Sequence, residues 1–417
     1  MRLTVLLSLL MLSTTLVYGG SVGALSGDEA SGVKWKNSTV KIAVSTTIDD
    51  SAPNIKNGSR IREALFRSIL RWEAVADVRF ITEYVERETT STKGNSGDGI
   101  SLITMSSLPE FVQLFGKSGS REAARTRVYF DKRGNIYEAD IFLNPFALFS
   151  TDGSYGTFDL ESVFTHELGH VLGLRHNHIP SSMMFDAVSE NGPLGPLAPP
   201  RRDLLSADIA AVRSLYGTIS EDGECCAAVS GRLLFTGKGT KAGVFVEEFE
   251  TGRLIAVTES STDGKFDIAG LSDGIYNLFW LRDGTFGYID GYVDLTRTNG
   301  TIIETQRVRS FEPIYVPTFI GIYGILSESA VSLRKGEQYR VFFGGQDAAV
   351  ESMTPLVRGP FITIDASTKQ VENYGRGLFV TSFILKVDAD APSGAYSVMF
   401  ISEDGRTGIS LGAIDIR

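Results

Sequence analysis

Every histidine of this chain falls within one short window, "HELGHVLGLRHNH", His166 to His178, although the chain has 417 residues and only four histidines in all. That crowding constrains the local fold. His166 and His170 are four residues apart, so on an α-helix they project about 40° apart around the axis, one turn above the other. Two imidazoles on one helix face can grip a single ion; the plain alternative is a pair of histidines on a helix surface. Glu167 lies about 100° further round. It is badly placed as a third ligand but well placed to reach a water held by the same ion. Gly173 comes one turn after His170, and glycine takes left-handed φ/ψ at no steric cost, so it can end the helix and swing the chain back. The returning loop then carries His176 toward the same point.

Three neutral nitrogens and a water make an open tetrahedral zinc site, the catalytic rather than the structural pattern. Zinc lowers the pKa of its water toward ~7 and polarises a carbonyl. Glu167 can take that water's proton as general base and pass it to a leaving amine. No comparable set of residues points to serine, cysteine or phosphate chemistry.

A chain of 417 residues exceeds one ordinary core and suggests about three domains. Its 42% hydrophobic and 22% charged content is that of a soluble protein. A net charge of −10 and a pI near 5.1, with no Lys/Arg stripe, argue against a nucleic-acid partner. Residues 1–24 read as a signal peptide: Arg2, an apolar run from Leu3 to about Val17, then small residues with cleavage between Gly19 and Ala24. An uncleaved anchor is the alternative, but the run is short, and no later stretch approaches the ~18 apolar residues of a span. The expectation is a secreted protein with no membrane span after cleavage. Cys225 and Cys226 are the only cysteines. A bond between neighbours would be strained, which leaves an intermolecular bridge or burial open.

Residues 33–217 read as a mixed α and β unit. "VKIAVS", "GISLITM", "TRVYFD" and "IYEADIFLN" have strand character. Ile61, Leu65, Ile69 and Trp72 recur at helical spacing as a core face. "FDLESVFTHELGHVLGL" is a second helix with Asp159 as N-cap, and "LSADIAAVRSLYG" a third, capped by Ser206 and stopped near Gly217. Beyond Cys226 short alternating runs separated by Asp-Gly turns predict two all-β sandwiches, residues 227–308 and 311–417.

The full spacing HExxHxxGxxH, followed by Met184 in "SSMMF", resembles the metzincin zinc proteases, whose signature is that motif with a methionine turn. Within them the chain looks most like the matrixins, which have a similar third helix and a similar strand ahead of the zinc helix. The resemblance covers residues 33–217. It implies an α+β catalytic domain with a twisted mixed sheet and three helices, and a smaller lower part that carries His176, Met184 and the third helix. By the same resemblance the ligands are His166, His170 and His176, Glu167 is the base, and Gly173 makes the turn. Met184 underlies the metal, with Met183 its core-packing neighbour. Asp208 buttresses the methionine turn; the alternative on sequence alone is a solvated first-turn residue. A peptide substrate would lie antiparallel to an edge strand, taken here as Ile136 to Asn144.

Several family features are missing. No histidine is left for a second zinc, no cysteine precedes Cys225 to hold the enzyme latent, and Asp186 replaces the usual proline after Met184. His178 is a surface or supporting residue. Ca2+ is weakly indicated at Asp131 to Asn135 or Asp152–Gly153. The first trailing block resembles carboxypeptidase regulatory-like sandwiches and the second immunoglobulin-like ones; such likenesses say little about ligands. The leading reading is a secreted zinc endopeptidase acting on proteins or peptides. The alternative is a surface binding or adhesion protein whose sandwiches carry the function.

Overall fold

In the computed structural model, residues 32–417 are described, apart from 49–51, 91–96, 119–121, 187, 189, 192–199, 220–225, 283, 297–300, 303–305, 309–315, 328–329, 346–351 and 376–377. The signal-peptide reading and Cys225 lie outside the described residues; Cys226 is disulfide-bonded.

The first part of the chain builds a six-stranded sheet from β1 (Lys34–Trp35), β2 (Thr39–Ser45), β3 (Arg79–Val85), β4 (Leu102–Met105), β5 (Ala124–Phe130) and β6 (Asn135–Leu143). Helix α1 (Ile61–Glu73) joins β2 to β3, and the short α2 (Pro109–Val112) follows β4. A small parallel pair, β7 (Phe149–Ser150) and β8 (Phe158–Asp159), leads into α3 (Leu160–Val171); α4 (Ser206–Tyr216) comes last. β2 pairs in parallel with β3 and β4, and β4 in parallel with β6. β5 alone runs antiparallel, from Ala124 opposite Leu143 to Phe130 opposite Ile136.

This order overturns one expectation. The strand Ile136 to Asn144 is not an edge, because β6 is paired on one side with β4 and on the other with β5. β5 pairs with β6 alone among the described strands and is a free edge, at the opposite side of the sheet from β3. The sequence did not show this, since β5 and β6 both read as strands with charged residues interspersed, and neither pattern says what lies on its far side.

Ile61, Leu65, Ile69 and Trp72 lie buried on one face of α1, against α3 and the sheet. α3 is unusual in that all its residues are buried. A helix with no solvent face needs polar groups at its surroundings to satisfy its ends and charges. Asp159 caps it by accepting the Ser162 N–H at 3.0 Å, and Arg202 pairs with Asp159 at 2.6 Å. Glu161, 1% exposed, pairs with Arg67 at 2.7 Å and Arg71 at 2.6 Å. Aromatic donors close the carbonyl side: Trp72 Nε1–H to Thr165 O at 2.9 Å, Trp35 Nε1–H to Val171 O and Tyr216 O–H to Leu172 O, both at 2.8 Å.

α4 starts one residue differently from expectation. Ser206 is its first helical residue and Leu205 its N-cap; the Leu205 N–H is accepted by Asp208 at 2.9 Å, so Asp208 does the capping.

Two pairs of sheets follow. In the first, Ala227–Phe235 pairs with Lys265–Leu271, facing a sheet ordered Leu254–Glu259, Gly243–Glu248, Ile275–Arg282, Thr285–Asp294. In the second, a sheet centred on Gln338–Gly344 faces one that contains Thr354–Val357, Gly394–Ile401 and Thr407–Ile416. Each pair has its own apolar core. A further cluster belongs to none of the three parts alone. It joins Ile179 and Ala207 to Phe245, Leu254, Phe279 and Phe286, and to Ala395, Ile409 and Leu411. Glu247 and Arg358 pair across the two sandwiches at 3.1 Å.

One buried acid inside the sheet sets a pH response. Asp140 is buried beside Glu138, and burial first, then that neighbouring charge, raises its carboxyl to about 8. A folded pKa above the unfolded one means that the folded chain holds the extra proton. That stability is fully present below about pH 4 and is lost as pH rises through about 8. Asp140→Asn keeps an acceptor for the Leu102 N–H, which Asp140 Oδ1 accepts at 3.0 Å. The substitution is expected to raise Tm over the parent at about pH 9, with the gap closing toward pH 5, in thermal unfolding scans across that range.

Candidate metal centre and cleft

His166 and His170 project from α3 one turn apart, and the helix then stops. Leu172 caps it; the Gly173 N–H is accepted by His170 O at 2.8 Å and the Leu174 N–H by Gly169 O at 3.0 Å. This pair of bonds closes a helix through a left-handed residue, and Gly173 has φ +93°. A side chain there would also strike the Val33 carbonyl, 2.2 Å from a built Cβ. Two independent constraints thus require glycine. The chain turns back and brings His176 to the helix.

The Nε2 atoms of His166, His170 and His176 stand 3.0–3.1 Å from one another, and the three residues are the metal-capable cluster found among the described residues. Met183 O lies 2.7 Å from His166 Nδ1, and Leu174 O 2.8 Å from His170 Nδ1. A carbonyl only accepts, so both Nδ1 atoms carry the proton and both Nε2 atoms present bare lone pairs. Lone pairs that face one another at this distance call for a cation between them. Nitrogens bound tetrahedrally to zinc at ~2.0–2.1 Å stand about 3.3 Å apart, within a few tenths of the observed spacing. The donor set therefore fits zinc. Burial lowers all three histidine pKa values, His166 to about 4, which keeps the rings neutral and able to bind metal.

Glu167 is 5% exposed. Burial raises its carboxyl to about 7, against the Thr126 hydroxyl, which donates to Oε2 at 2.5 Å. Thr126 sits on the edge strand β5 and was not singled out in the sequence, where a threonine within a strand carries no signal. Its bond ties the carboxylate to the strand that borders the cleft.

Met184 is 1% exposed and lies against α3 between the two helical histidines. Its slot is Gly169: a Cβ there would stand 2.3 Å from Met184 Sδ. Met183, read as a packing neighbour, also fixes His166 through its carbonyl. Asp208 is fully buried, not solvated. It accepts the N–H of Met183 at 2.9 Å and of Met184 at 3.1 Å, the Leu205 N–H, and the Ser182 hydroxyl. His178 is exposed and outside the triad, in the wall of a neighbouring pocket.

The two loops considered for calcium are occupied by donors. Asp131 accepts the N–H groups of Arg133 and Asn135 and the Asn135 amide, and Asp152 pairs with Lys56 and Ser154. They are turn-closing aspartates in this structure.

Residues 118–217 match the sequence model of the matrixin family, Peptidase_M10. The chain is 28% identical over 220 residues to metalloendoproteinase 1-MMP of Arabidopsis thaliana, covering 48% of this chain and 52% of that protein. It is 24% identical over 249 residues to karilysin of Tannerella forsythia, covering 57% and 45%. The chain thus spans about half the length of the curated relatives it matches. Among solved structures, the major pilin subunit of Bacillus cereus aligns at 15% identity over 46% of this chain and 67% of that one, with a TM-score of 0.18, too low to bear on the fold. The sequence matches support a matrixin-like metallopeptidase.

Removing the Thr126 hydroxyl takes away the bond that holds the Glu167 pKa down. Thr126→Val is expected to move the acidic limb of kcat/KM to higher pH, with a loss of about tenfold near pH 6 that shrinks above pH 8. A pH–rate profile beside a thermal melt checks it.

Proposed function

We propose that the chain is a secreted, zinc-dependent endopeptidase that hydrolyses peptide bonds in protein or peptide substrates. The observation that carries this reading is the convergence of three imidazole nitrogens, two of them bare because their rings are protonated at Nδ1, beside a buried carboxylate. A zinc ion held by His166, His170 and His176 would supply Lewis acidity toward a peptide carbonyl and toward water.

The remaining work falls to the chain's own groups. Glu167, raised to about 7, takes a proton from the attacking water and gives it to the departing amine, a task suited to a carboxylate poised near the working pH. Thr126 orients that carboxylate. The free edge of β5 presents backbone donors and acceptors on which an extended peptide can add as an antiparallel strand. Met184 and Asp208 fix the floor beneath the histidines. Among the described residues no helix is long and apolar enough to cross a membrane, and the apolar leader in residues 1–24 supports export.

Glu167→Ala is expected to lower cleavage of casein by about a thousandfold or more while one zinc per chain remains bound. Chelation should abolish parental activity and added zinc restore it. Full activity in Glu167→Ala overturns the mechanism.

A further inference from the structure

We infer that the last β-sandwich positions the third histidine: the strand Thr407–Ile416 clamps the loop that carries His176, which makes the C-terminal half part of the metal centre. This rests on the zinc reading proposed above and brings in a strand outside the matched family segment, 118–217.

His176, unlike His166 and His170, has no helix to hold it. Its loop is closed at the base, where the Asn177 N–H reaches Met184 O at 2.8 Å, and internally by Ser182 N–H to Ile179 O at 2.9 Å. The inner side of the loop is anchored by Met184 in the catalytic core. The outer side is anchored elsewhere. Ile179 is fully buried, yet its cluster is the one shared with Phe245, Phe279, Ala395, Ile409 and Leu411. All five belong to the sandwiches.

The contact is built with care on the sandwich side. Tyr396 pairs with Ile414, but Val398 pairs with Ser410, so the longer strand carries extra residues between those pairs. Leu411 to Ala413 bulge, and a bulge re-aims the backbone. At its centre Gly412 has φ +52°. A Cβ there would lie 2.6 Å from Ile179 Cγ2 and 3.2 Å from Ser181 Oγ. Ser181 Oγ donates to Gly412 O at 3.2 Å. Arg201, half-buried and attracted by Asp415 of the same strand, donates to Ser182 O at 3.1 Å. A pocket of ≈ 320 Å³ opens beside this point, between His178, Pro180, Leu281, Phe319 and Leu411. The seal is therefore local, and Ile179 on Gly412 is its centre.

The test uses the full chain and a matched control. Gly405, in the same sandwich, has φ +82° and open space where a Cβ would go. Gly405→Ala thus imposes left-handed alanine without the clash. Zinc affinity is measured by competition with a chromophoric chelator, alongside thermal melting. Gly412→Ala is expected to bind zinc about tenfold more weakly, while Gly405→Ala, strained without the clash, binds as the parent does. The double variant Ile179→Ala/Gly412→Ala removes the clashing methyl and should bind more tightly than Gly412→Ala alone. Should Gly412→Ala not fold, Ile179→Ala alone, which empties the anchor without a clash, carries the expectation of weaker zinc binding. Parental affinity in Gly412→Ala or in Ile179→Ala overturns the inference, as does equal loss in Gly405→Ala. A parent that binds no zinc overturns the underlying reading instead.

Discussion

A carboxylate out of reach of water organises the lower half of the first, mixed α/β part. Asp208 collects N–H groups from Met183, Met184 and Leu205 and the hydroxyl of Ser182. An ionised acid buried without donors would be strongly unfavourable; with four it becomes a fixed joint. It starts α4, holds the methionine turn and, through the Met183 carbonyl, orients His166. α4 in turn lies against the first sandwich: a side chain on Gly270 would stand 2.0 Å from Ala210 O. One aspartate therefore connects ligand orientation to domain packing.

α3 shows how such a centre is kept rigid. The helix is buried all round, so its position is over-determined by α1, the sheet, α4 and the methionine turn. Its ion-paired acids lie at the N-terminal end, where Arg67, Arg71 and Arg202 surround Asp159 and Glu161. Its two clustered histidines lie toward the other end. Separating the two keeps these three arginines away from the histidine cluster.

Much of the centre was legible in the sequence because it is local. The intervals between His166, His170 and Gly173 follow from helical geometry, and the structure brings His176 to them. The Asp159 cap and the buried stripe of α1 are local in the same sense. What was illegible depends on pairing between distant segments. Which of β5 and β6 forms the edge is decided by β4, far back in the chain. Thr126 reaches Glu167 only because of that order. Ser206 looks like a cap, but a burial-driven competitor, Asp208, takes the Leu205 N–H. The shared core around Ile179 carries no periodic signal, since isoleucine in a loop looks incidental until its partners are in place.

The free edge of β5 has another side. A strand left open to receive an extended chain is equally open to the same strand of a second molecule, the route by which sheet proteins aggregate. β5 reads Ala124, Arg125, Thr126, Arg127, Val128. Two copies pairing antiparallel about Thr126 would set Arg125 of one against Arg127 of the other, like charges across a ladder. On the proposed reading, the edge accepts a foreign chain while its arginines disfavour pairing with its own kind.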